Sequence, residues 1–263
     1  MLGQTVKALI FDVFGTVVDW RGSVIREGEA LGRSKGLTID WARFADEWRI
    51  EGYTQAIARI RSGEQPWERV DVLHRRKLDE LLVRHGIIGL SEEEIGHFNR
   101  VWHRLNPWPD AVPGLTRLRA RYTISPLSNG DFALLTEMAR HAGLPWHCIL
   151  SSELFQCFKP DPRTYLGAAR LLDLAPDQVL MVAAHVGDLQ AAHALGLATA
   201  LVPRPLEFGP SRPYERPDTS SFDLVADDFE DLARQLDAFN LTDGIVAAMD
   251  HLSSGKTTGR SFR

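Results

Sequence analysis

Cysteine is nearly absent: Cys148 and Cys157 are the only two in 263 residues, and their spacing matches no metal motif. A disulfide framework is not expected, and a reducing cytoplasm is the simplest setting. Excess charge is scarce too. A net charge of −5 leaves no electrostatic footprint for nucleic acid or for an anionic membrane. The first residues, Met-Leu-Gly-Gln-Thr-Val-Lys, contain neither a long apolar run nor a cleavage-site pattern, so neither a signal peptide nor a membrane span is expected. There is no internal repeat. What is present is ordinary for a soluble globular protein: 44% hydrophobic and 25% charged residues, in a chain long enough for one large domain or a core with an inserted second unit.

The stretch that organises the chain is Lys7 to Asp19. Ala8 to Phe11 form an apolar run that ends in Asp12, with Gly15 and Thr16 close behind. A buried strand that delivers an acid to its carboxyl end and then turns is a natural way to build a site, because ligands of open α/β sheets lie beyond that edge. From about residue 22 to 105 the pattern is helical. Trp41, Phe44, Ala45 and Trp48 fall at helical spacing, and Tyr53, Ala56, Ile57 and Ile60 continue the stripe with a small phase shift. Asp40 reads as an N-cap and Gly63 as a stop; a second helix is expected from about Trp67 to His85, and a third after the capping box that opens at Ser91.

The Pro-rich segment 106–114 marks a change. Strands are expected at Tyr122 to Leu127, Cys148 to Leu150, Gln178 to Ala183 and Ala198 to Val202. Helices are expected at Asp131 to Ala142, Pro162 to Leu172 and Asp188 to Leu195. Such alternation predicts an α/β fold with a parallel sheet covered on both faces. The division expected is a sheet domain from residues 1–18 and 110–240, a helical cap over 19–109, and a C-terminal helix or flexible tail over 241–263, flexible at 253–263. The loop 203–221, rich in Pro and Arg, lies over the site or on the surface.

Polar residues stand where successive strands should end: Asp12, then Ser128 and Asn129, then Lys159, then His185 and Asp188. Singly, each also suits a turn or a helix entry. Converging, they suit a carboxylate nucleophile whose pKa and geometry are held by a lysine, with small donors for an anionic substrate group. The ordered set Phe-Asp-x-Phe-Gly-Thr, Leu-Ser-Asn-Gly, Lys-Pro-Asp-x-x-x-Tyr and His-x-x-Asp resembles the haloacid dehalogenase superfamily. That resemblance implies a Rossmann-like core with a cap after the first motif. Superfamily phosphatases carry a second acid two residues after the nucleophile and a further acid four residues after the last aspartate. Here these positions are Phe14 and Ala192. A halide leaves without a proton, so the missing residues point to the 2-haloacid dehalogenase branch, with no metal and no cofactor.

By this resemblance Asp12 attacks the halogen-bearing carbon, and water hydrolyses the aspartyl ester to a 2-hydroxy acid. Lys159, assisted by Tyr165, would orient Asp12. Thr16 and Ser128 would bond the substrate carboxylate or Asp12. Arg49, which by itself reads as a solvated helix residue, matches the family arginine, with Asn129 its partner at the halide. Tyr53, Trp48 and Trp108 would wall the pocket beside Phe14, or belong to the core. Asp188 would position or activate water. His185, where the better-known members differ, reads as a base, a halide donor or a residue that orients Asp188. The added donor and a tighter pocket suggest fluoroacetate. The expected partners are a 2-haloacid, its halide and, through cap or core helices, a second copy of the chain. The alternatives are a magnesium-dependent phosphatase and a non-catalytic binding member of the fold.

Overall fold

The structure, a computed structural model, describes residues 6–215 and 217–238; the expected C-terminal helix or tail over 241–263 falls outside the described residues. At its centre is β1 (Ala8–Phe11), whose four apolar residues are all buried. It pairs in parallel with β4 (Thr123–Ser128) on one side, Ala8 opposite Thr123, and with β6 (Val179–Ala183) on the other, Ala8 opposite Val179. With β5 (Leu150–Ser151), β7 (Ala198–Leu201) and β8 (Leu224–Val225) the order is β5-β4-β1-β6-β7-β8, parallel throughout. Successive residues of β1 feed opposite cores. Leu9 and Phe11 pack with Phe229 and Leu115 on one face, and Ile10 packs with Met181 and Tyr165 on the other. Burial on both faces is why this strand reads as a continuous apolar run instead of alternating. The chain moves outward from β1 in one direction through β4 and β5 and in the other through β6 to β8, so the carboxyl end of β1 lies at the switch point.

The chain leaves the sheet through a two-residue antiparallel ribbon, β2 (Val18–Asp19) against β3 (Asn106–Pro107), which the sequence pattern does not betray. Between its strands lie α1 (Trp20–Lys35), α2 (Trp41–Arg49), α3 (Gln55–Arg61), α4 (Val70–Arg84) and α5 (Glu92–Asn99). Together they form a helical cap. Local chemistry sets the starts: Asp19 caps α1, Asp40 accepts from the Arg43 amide, and both bonds of the Ser91–Glu94 capping box are formed. The phase shift in the apolar stripe is a π-helical turn, Ile50–Thr54, between α2 and α3. Such a turn inserts one residue into the helical repeat and is frequent at functional sites.

On the sheet side are α6 (Ala111–Arg119), α7 (Phe132–Ala142), α8 (Pro162–Leu171) and α9 (Val186–His193), with further helical turns over 229–238. Several expected boundaries shift by one to three residues. The helix expected from Trp67 starts at Val70, that expected from Asp188 starts at Val186, and the short strand is Leu150–Ser151. Several contacts fasten the cap to the core, among them Arg100 and His103 on Glu137. Phe158 packs among Ala56, Ile57, Val70 and Leu73, and Asp131 accepts the amides of Val70 and Asp71 at 2.8 Å each. No described helix is long and apolar enough to cross a membrane.

Candidate active site

Asp12 follows β1 directly, its amide bonded to the Val182 carbonyl, and only 8% of it is exposed. Gly15 turns the chain at φ +87°, a left-handed conformation that costs a glycine little. The turn brings Thr16 back, and its Oγ1 donates to Asp12 Oδ2 at 2.7 Å while accepting from the Ala184 amide. Lys159, equally buried, donates through Nζ to Asp12 Oδ1 at 2.9 Å and also to Asp188 Oδ2. On the other side of Asp12, His185 Nδ1 lies 2.9 Å from Oδ2. Burial pushes the Asp12 carboxyl up. The Lys159 ammonium and the His185 donor outweigh it and hold the group well below the usual carboxylate range. Burial pushes Asp188 above its ordinary value despite Lys159.

His185 stands just before α9 with a carboxylate at each nitrogen. Nε2 lies 3.0 Å from Oε2 of Glu207, which also accepts from Trp20 Nε1 at 3.1 Å. Burial favours the neutral ring, but the bonds to Asp12 and Glu207 prevail and push its pKa up to about 10. The imidazole is therefore a cation at neutral pH.

Above this floor is a cavity of about 450 Å³. Asp12, Lys159, Asp188 and His185 line its base; Phe14, Arg49 and Tyr53 line the cap side; Asn129, Tyr165, Arg61 and Phe208 complete the walls. Arg49 ends α2, and the π-helical turn brings Tyr53 beneath it, with the guanidinium carbon 3.9 Å from the Tyr53 ring centroid and 5.3 Å from that of Phe14. Arg49 Nη1 is buried without a hydrogen-bond partner. A guanidinium nitrogen buried without a partner beside a cavity has the chemistry to receive an anion or another acceptor. Behind Tyr53, His74 stacks 4.2 Å from Trp102, and both its ring nitrogens lack partners. Burial, then Arg49, hold its pKa well below the ordinary value, so this imidazole is neutral.

The structure moves four expected residues away from the roles written for them. Tyr165 donates to Asp188 Oδ1, not to Asp12, because α8 places its hydroxyl on the far side of Lys159. Ser128 is fully buried behind the strand edge, its Oγ accepting the Gly130 amide, and it touches neither Asp12 nor the cavity. Trp48 lies in the cap's interior with Nε1 on the His74 carbonyl. Trp108 braces the turn through the Gly15 carbonyl. Asn129 lines the cavity, its Oδ1 fixed by Ser152 Oγ and the Lys159 amide. Glu207, Phe208, Arg61 and His74 carried no signal. Glu207 and Phe208 sit in the 203–221 loop, where nothing but folding relates them to Asp12.

The donor set does not fit a magnesium ion. The position that would supply a further side-chain oxygen is Ala192, apolar and buried, and both oxygens of Asp188 already take a donor. Among the described residues no group of three or more His, Cys, Asp or Glu is arranged to hold a metal.

A parallel sheet with a charged cluster at its carboxyl edge, closed by a helical cap, defines a capped α/β hydrolase. The sequence profile of haloacid dehalogenase-like hydrolases matches residues 6–196, and the chain belongs to that family. Among solved structures, an L-2-haloacid dehalogenase is 47% identical with a TM-score of 0.85, covering 89% of this chain and 99% of its own. A defluorinating L-2-haloacid dehalogenase is 45% identical with a TM-score of 0.84, covering 88% and 95%. The (S)-2-haloacid dehalogenase 1 of Pseudomonas sp. (strain CBS-3) is 28% identical over 231 residues, 79% of this chain and 91% of its own.

Proposed function

We propose that the chain is a hydrolytic dehalogenase converting short 2-haloacids to 2-hydroxy acids without a metal, through an ester on Asp12. The observation that carries this reading is the opposition of two charges across one small cavity. Below is a carboxylate, ionised and clamped by Lys159 and Thr16; above is the Arg49 guanidinium, resting on aromatic rings with its Nη1 lacking a hydrogen-bond partner. A nucleophilic carboxylate needs a preformed orientation and an anionic product needs a desolvated cation; the cavity supplies both. Asp12 displaces the halide, Arg49 and Asn129 receive it or the substrate carboxylate, and Lys159 and Asp188 hold Asp12 in line. The relatives named above act on L- or (S)-2-haloacids, which supports the same substrate class and hand here.

Fluoroacetate deserves inclusion among the substrates. Phe14, Tyr53 and Arg49 crowd the cavity's upper wall, and one relative is defluorinating. The phosphatase reading lacks support at Phe14 and Ala192, where a general acid and a metal ligand would be needed.

The test is halide release from fluoro-, chloro- and bromoacetate and both 2-chloropropionates, in EDTA. We expect release with the (S) enantiomer preferred, and a loss of at least ~10⁴-fold in Asp12→Asn. Magnesium-dependent phosphate release without halide release would overturn the assignment; chloride release without fluoride release would remove fluoroacetate alone.

A further inference from the structure

Glu207 belongs to no motif, yet its carboxylate lies buried against the reacting end of the site with 5% of the residue exposed. A Cβ on Gly15 would sit 2.2 Å from Glu207 Oε1, so the glycine serves the close approach of this side chain as well as the turn. The groups around the imidazole are few. Asp12 from β1 meets Nδ1, and Glu207 from the loop meets Nε2. Asp188 on the following helix is committed to Lys159 and Tyr165. Behind Glu207, Arg204 is paired with Asp110, and Arg212 lies over the Phe208 ring.

We propose that Glu207 is a positioning residue that holds His185 by Nε2 so that Nδ1 serves as the base for hydrolysis of the Asp12 ester. The inference rests on the aspartyl-ester reading above. In the resting protein two carboxylates keep the ring protonated. Esterification removes the charge of Asp12, and the Nδ1 proton, now facing a neutral ester, is the one the overall reaction releases to solvent alongside the halide. Glu207 retains the Nε2 proton, which fixes the tautomer with the Nδ1 lone pair toward the ester. Water adds to Cγ of Asp12 and its proton passes to Nδ1. The bond from Cγ to the substrate oxygen then breaks, and the departing alkoxide takes that proton to become the 2-hydroxy acid. The carboxylic acid left on Asp12 returns its proton to Nδ1, which restores the ion pair seen here. Asp188 is poorly placed for this work because each of its oxygens already holds a donor.

The test is rapid-mixing kinetics of Glu207→Gln with chloroacetate. We expect a chloride burst of about one equivalent per site at close to the wild-type rate, then turnover slower by about 10²–10³-fold. Intact-mass measurement should show the Asp12 ester accumulating. The midpoint of the pH profile for ester hydrolysis should fall by about one unit, since an amide no longer stabilises the imidazolium. Glu207→Asp, which keeps the charge, should recover part of the rate. Burst and turnover falling together, neither falling, or no ester accumulating would each overturn the inference. If Glu207→Gln does not fold, His185→Asn carries the test: it must trap the same ester, and failure to trap it overturns the inference. A single wild-type turnover in ¹⁸O-water separates the two levels. Product without label in Asp12 sinks the ester reading and this inference with it. Label in Asp12 together with no trapped ester sinks this inference alone.

Discussion

The two sides of the cavity are built on opposite principles. On the sheet side every charge has a partner: Lys159 joins Asp12 to Asp188, Tyr165 and Thr16 take the remaining oxygens, and His185 spans Asp12 and Glu207. On the cap side the polar groups are left open, with Arg49 Nη1 and both nitrogens of His74 unpartnered among aromatic rings. A cross-bonded cluster costs little to hold in place once folded and is preorganised for reaction. A guanidinium nitrogen buried without a partner is instead a standing cost, which an acceptor entering the cavity would relieve. On the proposed reading, the contrast separates the machinery that reacts from the surface that recognises.

Breaking the sheet side should have the larger effect. Lys159→Met leaves two buried carboxylates facing one another; we expect activity to fall at least ~10³-fold and stability by about 3 kcal/mol, read by calorimetry as a Tm drop of roughly 10 °C. Arg49→Leu should do the reverse on stability, leaving Tm unchanged or raised because an unpaired charge is removed, while kcat/KM for chloroacetate falls about 10²-fold. Equal losses of Tm in the two variants would erase the distinction between the sides.

The seam between the sides offers a smaller effect with a definite sign. Asp131, at the start of α7, binds two amides at the start of cap helix α4, and burial pushes its carboxyl from 3.8 up to about 6. Its folded pKa is raised, so the native state binds the proton more tightly than the unfolded chain. The stabilisation is complete below about pH 4 and is lost as pH rises through 6, by about 3 kcal/mol. Asp131→Asn should flatten this part of the Tm–pH curve relative to wild type; an unchanged slope would mean that Asp131 does not report on the seam.

Much of this was legible in the chain. A buried strand running into Asp12, the Lys159 and Asp188 turns, and the helices between Trp41 and Asn99 all show in residue order, because apolar period and capping chemistry are local. So was the phase slip at Tyr53, although its cause, a π-helical turn that carries Tyr53 beneath Arg49, was not. The aromatic residues divided differently. Trp48 and Trp108 look like pocket walls in sequence as readily as Phe14 does, and only packing sends them to the cap interior and to the Gly15 turn.

What the sequence determined by itself is therefore the succession of buried strands and helices, the helical insertion and the acid at the end of the first strand, each announced by apolar period and capping residues that are local in the chain. Tertiary structure alone decided which donor meets which oxygen: that Tyr165 serves Asp188, that Ser128 turns away, and that Glu207, 195 residues beyond Asp12, closes on His185. Hydrogen bonds act over about 3 Å, and the loop that carries Glu207 acquires that proximity to His185 only when the sheet has aligned its strand ends.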